Sequence, residues 1–273
     1  MKKQVRKLIL FARQWKNELC WFVDSRLERK KIKKSKKQKE LKGKKMILIP
    51  HADDEWIGCS SILLDEEKPL LINMDKQGGD SVELHKKRRY ELESIAIACS
   101  CQMLTVSEHL TLKEIINQFL PDYIFVPSFL DWHEEHFEVM EELQTTISEI
   151  DNMGNLKIAM YQVSIPIPEH IVTHVVPLSR KRWKRKWHRF RKHYKTQKHI
   201  PHKRFACHEL INGKMIDSYA AEVFAIFDAF EWAKALDIMR ANNNDKEYFK
   251  KHINQIASIR RYLKGTSFNP IRN

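Results

Sequence analysis

The chain has 273 residues, 42% of them hydrophobic, enough to bury one substantial core, so one α/β domain with appendages is the default. Residues 1 to 45 hold 18 of the 49 Lys and Arg but only 4 of the 35 Asp and Glu; the whole net charge of +14 therefore sits in an N-terminal arm, and the rest is formally neutral. Five cysteines without a Cys-x-x-Cys, and seven glycines without a glycine-rich phosphate loop, exclude a disulfide-stapled secreted scaffold and a dinucleotide site of the usual type.

The arm comes first. Val5, Leu8, Ile9, Ala12, Trp15, Leu19, Phe22 and Val23 fall at helical spacing, with Lys2, Lys3, Arg6, Lys7, Arg13 and Lys16 beside them. No apolar stretch approaches the roughly 20 residues of a spanning helix. Two readings stand: a helix lying in a membrane interface, or one packed on the core or on a partner. Arg26 to Lys45 is lysine-rich with almost nothing apolar, which predicts disorder or a solvated helix. Its charges would attract an anionic lipid surface, at about 1 kcal/mol per close basic residue. The phosphates of nucleic acid are the rival attractor. The domain expectation is thus an arm over 1–45 and a globular unit over 46–273. The thiol pattern and the arm place the protein on the cytoplasmic side, peripheral on the inner face of the membrane.

Met46 to Ile49 reads as a short buried strand, closed by Pro50. A knot of ionisable groups follows: His51, Asp53, Asp54 and Glu55. The bland reading is a polar loop with an aspartate capping the next helix. Ile57 to Leu64 predicts a helix, Pro69 to Met74 a strand, Asp80 to Ala98 a helix, Met103 to Val106 a strand and Leu112 to Leu120 a helix. Pro121 to Ser128 predicts another strand, and again ionisable groups follow, in Asp131-Trp-His-Glu-Glu-His136. A helix over Phe137 to Ile150 and strands over Leu156 to Val163 and Ile171 to Val176 come next. Strands alternating with helices argue for an α/β fold with a Rossmann-like, mostly parallel sheet and helices on both faces.

Arg180 to Arg204 is a second basic block, with 13 Lys and Arg and no acid. Trp183, Trp187, Phe190 and Tyr194 recur in it at helical spacing, which predicts an amphipathic helix docking its aromatics on the core. The alternative is a basic wall beside the site, facing the phosphates of a ligand. His188, His193, His199 and His202 follow no metal motif and read as surface residues. Ile226 to Lys264 reads as two closing helices with Trp232 in the core.

In an open α/β sheet, ligands bind beyond the carboxyl ends of strands, where both ionisable clusters fall. One His and one carboxylate from the first loop, with one or two His from the second, would make a two-His, one-carboxylate site with open positions. That set suits zinc or iron(II), and a bound metal can bring the pKa of water to about 7. A spare carboxylate could act as general base. Trp56 and Trp132 sit inside the motifs, where each could stack on a ring of the ligand or simply pack.

Pro50-His-Ala-Asp-Asp-Glu55 and Asp131-Trp-His-Glu-Glu-His136 resemble the paired motifs of the PIG-L/LmbE-like metal-dependent N-acetylglucosaminyl deacetylases. The resemblance continues, in family order, through Gly58-Cys59, Arg88-x-x-Glu91, Tyr161 to Pro168, Gln197 and Ala221 to Phe224. It implies His51, Asp54 and His136 as ligands of Zn2+, or of another divalent metal such as Fe2+. It implies Asp53 as general base, and His133 as the group that stabilises the oxyanion or protonates the leaving amine. Asp131 would orient a histidine through its other nitrogen, and Arg88 would hold substrate. Three departures stand out: Ala52 for a proline, Glu134-Glu135 for Pro-Asp, and Met74-Asp75-Lys76, with Gly78-Gly79 beyond, for Thr-Asp-Gly.

The expectation is a hydrolase that removes acetyl from an N-acetylated sugar, on a lipid-linked or conjugated glycan precursor. The alternative is a non-catalytic protein on the same scaffold that holds a polyanion, either membrane or nucleic acid.

Overall fold

The computed structural model describes residues 2–36, 40–76, 81–150, 154–241 and 244–265; Gly78 and Gly79 lie outside them. Among these residues, seven strands form one sheet: β1 (Lys45–Ile49), β2 (Leu70–Asn73), β3 (Met103–Thr105), β4 (Tyr123–Pro127), β5 (Lys157–Tyr161), β6 (His174–Leu178) and β7 (Ala220–Asp228). Their order is β3-β2-β1-β4-β5-β7-β6. The first five are mutually parallel, while β7 runs antiparallel to both β5 and β6. The chain moves outward from β1 through β2 to β3, then returns to lay β4 on the other side of β1. That reversal opens a crevice at the carboxyl ends of β1 and β4, the usual ligand position of an open sheet.

Alternate side chains of β1 feed two cores. Met46 and Leu48 join one with Ile72, Val126 and Met160; Ile47 and Ile49 join the other with Leu71, Phe125 and Tyr161. Burial on both faces explains why these strands read as continuous apolar runs. The helices are α1 (Lys2–Lys31), α2 (Asp54–Leu63), α3 (Val82–Cys99), α4 (Leu112–Phe119), α5 (Glu134–Ser148), α6 (Arg180–His193), α7 (His202–Asn212), α8 (Ala229–Ala241), α9 (Asn244–His252) and α10 (Ile256–Gly265).

Four expectations need correction. The closing segment is not two helices: Ile226 to Asp228 end β7, and α8, α9 and α10 follow. Within β7 the buried Glu222 breaks any apolar alternation; it accepts from the Ser61 backbone N–H at 2.8 Å and pairs with Lys186 at 2.6 Å, so tertiary partners make the strand legible. The second basic block is two helices, because α6 ends at His193 and Pro201 begins a new one. His202 is only half exposed, its ring 6.0 Å from that of Phe190. Finally, Arg26 to Lys31 is not disordered but helical; Arg26, Lys30 and Lys31 are exposed, as in the solvated-helix alternative, yet the segment is docked. It is the C-terminal end of α1, and the Arg29 guanidinium donates to the carbonyls of Leu210, Ser218 and Tyr219 at 2.6 to 2.9 Å.

α1 docks on α7 and α10. Trp21 is buried there and its indole N–H donates to the Asn254 carbonyl at 3.0 Å; Ser25, Glu28 and Ile32 are buried along the same side. The expected apolar stripe points the other way: Ile9, Trp15, Leu19, Phe22 and Val23, joined by Leu27, are all exposed. Among the described residues, no helix is long and apolar enough to cross a membrane.

Candidate active site

Pro50 ends β1, and the chain turns sharply before α2. Asp53 caps that helix with φ 133° and ψ −22°, a backbone region costly for any residue with a side chain. The turn is held from several sides. The Asp53 carbonyl accepts from the N–H groups of Trp56 and Ile57, Gln197 donates to the Ala52 carbonyl at 3.2 Å, and Tyr161 donates to the Leu48 carbonyl at 2.9 Å. Gly58 lets α2 lie against Tyr161: a Cβ there would stand 2.3 Å from the ring. Glu91 accepts from the N–H and hydroxyl of Thr196, fixing α3 to the segment that carries Gln197. The weaker residues of the resemblance thus surround the first motif.

The turn from β4 supplies the rest. Asp131 is buried; one oxygen accepts from the Trp132 N–H at 2.8 Å and the other from the Ser164 N–H at 2.9 Å. α5 begins beyond it and carries His136 into the crevice.

Three donor atoms meet there. Asp54 Oδ2 lies 3.0 Å from His136 Nε2 and 3.3 Å from His51 Nδ1, and the two ring nitrogens are 3.2 Å apart. Ligands at about 2.0–2.1 Å in tetrahedral array stand roughly 3.3–3.4 Å from one another, so this donor set fits a single small divalent ion. Burial would raise the Asp54 carboxyl, but facing His136 and His51 hold it well below the usual carboxylate range. Burial would lower His136, yet Asp54 and Asp131 push it up to about 9. Each group thus holds the other in its charged form, and the carboxylate charge that stabilises a protonated His136 would equally stabilise a cation.

Asp53 behaves oppositely. It is buried, its Oδ2 has no hydrogen-bond partner, and burial, with the charges of Asp54 and Glu55, pushes its carboxyl well above the usual range. Glu55 is raised to about 7 by burial and accepts from the Tyr194 hydroxyl. His133 is lowered by burial, stacks on Trp132 with centroids 4.0 Å apart, and stands 3.4 Å from the Ser164 hydroxyl. Asp131 lies 3.7 Å from His136 Nδ1, near enough for charge attraction but too far for the hydrogen bond expected of it.

His51, Asp53, Asp54, His133 and His136 line one cavity of about 480 Å3 with Arg88, Gln197 and Trp132, while Glu55 and Asp131 lie behind them. Trp56 is the exception: it is wholly buried and donates to the Lys186 carbonyl at 3.0 Å, so it packs and no sugar reaches it. Three lining residues escaped the sequence reading. Glu135 stands 3.9 Å from His51 Nε2, and its place inside the second motif was a usable signal. Ser164 sits within the Tyr161 to Pro168 match. Arg204 carried no signal, being one cation among many in its block. His199, read as a surface residue, is exposed and also lines the cavity.

No protein-family model matches the sequence, and no curated protein does. Solved structures do. N,N'-diacetylchitobiose deacetylase from Pyrococcus horikoshii superposes with a TM-score of 0.54 at 18% identity, over 70% of this chain and 86% of that one. A conserved protein from Thermus thermophilus superposes with a TM-score of 0.53 at 15% identity, over 67% and 94%. At such identities the likeness is one of fold. The chain has the α/β fold of this deacetylase, in agreement with the PIG-L/LmbE-like resemblance of its motifs.

Proposed function

We propose that the protein is a metal-dependent hydrolase that removes the acetyl group from an N-acetylated sugar of the N-acetylglucosamine type, on a lipid-linked or conjugated glycan precursor. One observation carries this: the donor set of His51, Asp54 and His136 shares a crevice with the unpartnered carboxylate oxygen of Asp53. The name of the Pyrococcus neighbour, a deacetylase of a diacetylated amino sugar, supports the substrate class.

Zinc, or iron(II), held by those three side chains would polarise the acetamide carbonyl and acidify water. The protein's own residues do the rest. Asp53, whose raised affinity for a proton suits a base, takes the proton of the attacking water and returns it to the departing nitrogen. His133, kept neutral by burial, donates a ring N–H to the acetamide oxygen as it gains negative charge. Trp132 holds His133 flat on one side, and Asp131 steadies the loop through two backbone N–H groups. Arg88, which lines the same cavity, contacts the sugar. Acetate and a free amine leave.

The arm's partner in this reading is an anionic membrane surface. The outward row of Trp15, Leu19, Phe22 and Leu27 supports lipid over nucleic acid, because nucleic acid offers no apolar phase to receive such a row.

The test pairs metal content with acetate release from N-acetylglucosamine conjugates. The wild type should bind about one metal per chain and release acetate; His136→Ala should lose both. Asp53→Asn should keep the metal and lose about 10²–10⁴-fold in turnover. Absence of metal from zinc-replete wild type, or full turnover by Asp53→Asn, would defeat the reading.

A further inference from the structure

The basic side of α6 faces a cavity of its own. Trp187 and Phe190 turn into the core, and beside them runs a row of Arg182, Arg185 and Arg189, spaced i, i+3 and i+7 along one side of the helix. The row lines a cavity of about 630 Å3 that shares no lining residue with the catalytic one. Its opposite wall is the second half of α2, from Ser60 to Leu64, with the turn that follows. α2 therefore stands between the two cavities, with Asp54 and Ile57 on the catalytic side.

Charge in this second cavity is one-sided. Of the acids that line it, Asp65 pairs with Lys45 at 3.4 Å and Glu40 with Lys42 at 3.2 Å. That leaves Glu66 against three guanidinium groups, none of which has a carboxylate partner among the described residues. The other polar groups are engaged. The hydroxyls of Ser60 and Ser61 donate to Glu222, and the Lys186 ammonium is held by Glu209, Glu222 and the Ile57 carbonyl. The donors open to a ligand are thus the three guanidinium forks.

Their spacing selects among anions. At 1.5 Å per residue, Arg182 and Arg189 stand roughly 10 Å apart along the helix axis. A guanidinium fork takes two oxygens of one phosphate, so a single phosphate engages one or two members of the row and leaves the rest. A phosphate also brings about −1.5 to −2 charge, where a carboxylate brings one. Three forks in a row are matched by a ligand with several phosphate groups.

We propose that the cavity between α2 and α6 is a binding site for a polyphosphate, clamped by Arg182, Arg185 and Arg189. The ligand is not the substrate, because α2 separates this site from the catalytic cavity. The inference stands whether or not the chain releases acetate. A soluble polyphosphate and a multiply phosphorylated lipid headgroup share this chemistry.

The test is a binding titration of the full, zinc-replete chain at physiological salt. The probes are inorganic phosphate, tripolyphosphate, a short DNA duplex, and phosphatidylcholine vesicles with and without phosphatidylinositol 4,5-bisphosphate. Tripolyphosphate should bind about ten-fold tighter than inorganic phosphate, or better, and Arg185→Gln with Arg189→Gln should remove that advantage. Lys184→Gln with Arg191→Gln takes the same charge from exposed positions on the far side of α6 and should change affinity by less than about two-fold. Vesicle binding that needs the phosphoinositide and falls with the first pair would mark a headgroup as the source; tripolyphosphate binding alone falling would mark a soluble one. Equal affinity for the two phosphates overturns the inference. So does an equal loss from both pairs, or tight binding of the duplex alone, since either reports general charge on α6. Tripolyphosphate binding that survives both pairs belongs to the catalytic metal and overturns it too.

Discussion

Two helices of this protein, α1 and α6, carry the same sequence pattern and use it in opposite ways. Both are basic, and both repeat aromatic or aliphatic residues at helical spacing. α6 turns its stripe inward: Trp187 is 6% exposed, and Phe190 and Tyr194 are buried beside it. α1 turns its stripe outward: Trp15 is 63% exposed, and Leu19 and Phe22 lie open alongside. What anchors α1 is the less apolar side, through Trp21, Ser25 and the three carbonyls held by Arg29. A helical hydrophobic stripe therefore reports that something apolar covers it, but not whether that cover belongs to the same chain.

The comparison is broken first through stability. Phe190→Ala should cost about 3–5 kcal/mol in denaturant unfolding, the range for emptying a large aromatic site in a core. Trp15→Ala and Phe22→Ala should each stay within about 0.5 kcal/mol, since neither residue is buried. A large loss from Trp15→Ala would mean that α1 is part of the core after all.

The next effect sharpens it through partition. On vesicles rich in phosphatidylserine, Trp15→Ala combined with Phe22→Ala should cost roughly 2 kcal/mol or more of binding, while Trp183→Ala on α6 should leave binding as it is. Vesicle binding indifferent to the α1 pair would remove the membrane from the function. Smaller again, replacing Lys16, Arg26 or Lys30 with Gln should cost about 1 kcal/mol each at low salt, vanishing as salt rises.

The last effect is a slope. Under α6, Lys186 meets two buried carboxylates, Glu209 and Glu222, so one cation serves two acids. Burial pushes Glu209 up to about 7 despite Lys186. The folded chain then holds a proton that the unfolded chain releases near the ordinary glutamate value. Between those two values the folded state binds more protons, so stability should fall as pH rises toward 7. Glu209→Gln should flatten that part of the pH–stability curve, measured by chemical unfolding at several pH values.

Much of the site was legible because its chemistry is concentrated in two short stretches, each just after a strand. His51, Asp53 and Asp54 are close in sequence and close in space for the same local reason, a tight turn into α2. His133 and His136 likewise flank the start of α5. That the two stretches meet depends on β1 lying beside β4, which the alternation of strands and helices allows but does not specify. Trp56 shows the limit of motif reading. It directly follows Glu55 in the motif, yet its indole is wholly buried in the core and donates to the Lys186 carbonyl. Arg204 shows the reverse: it lines the cavity with its Nε unpartnered, and no residue adjacent in sequence records that.

The sequence by itself determined the class of fold, the two ionisable clusters, the confinement of charge to the arm and the existence of amphipathic helices. These follow from local period and composition, which act over a few residues. Only the tertiary structure decided that β7 is a strand, that α1 exposes its apolar stripe, and that a second cavity opens between α2 and α6. Those outcomes depend on which distant surfaces meet: Glu222 with Ser61 and Lys186, Arg29 with the turn before β7, α2 with α6. Burial is a property of both partners in a contact, and one stretch of sequence describes only one of them.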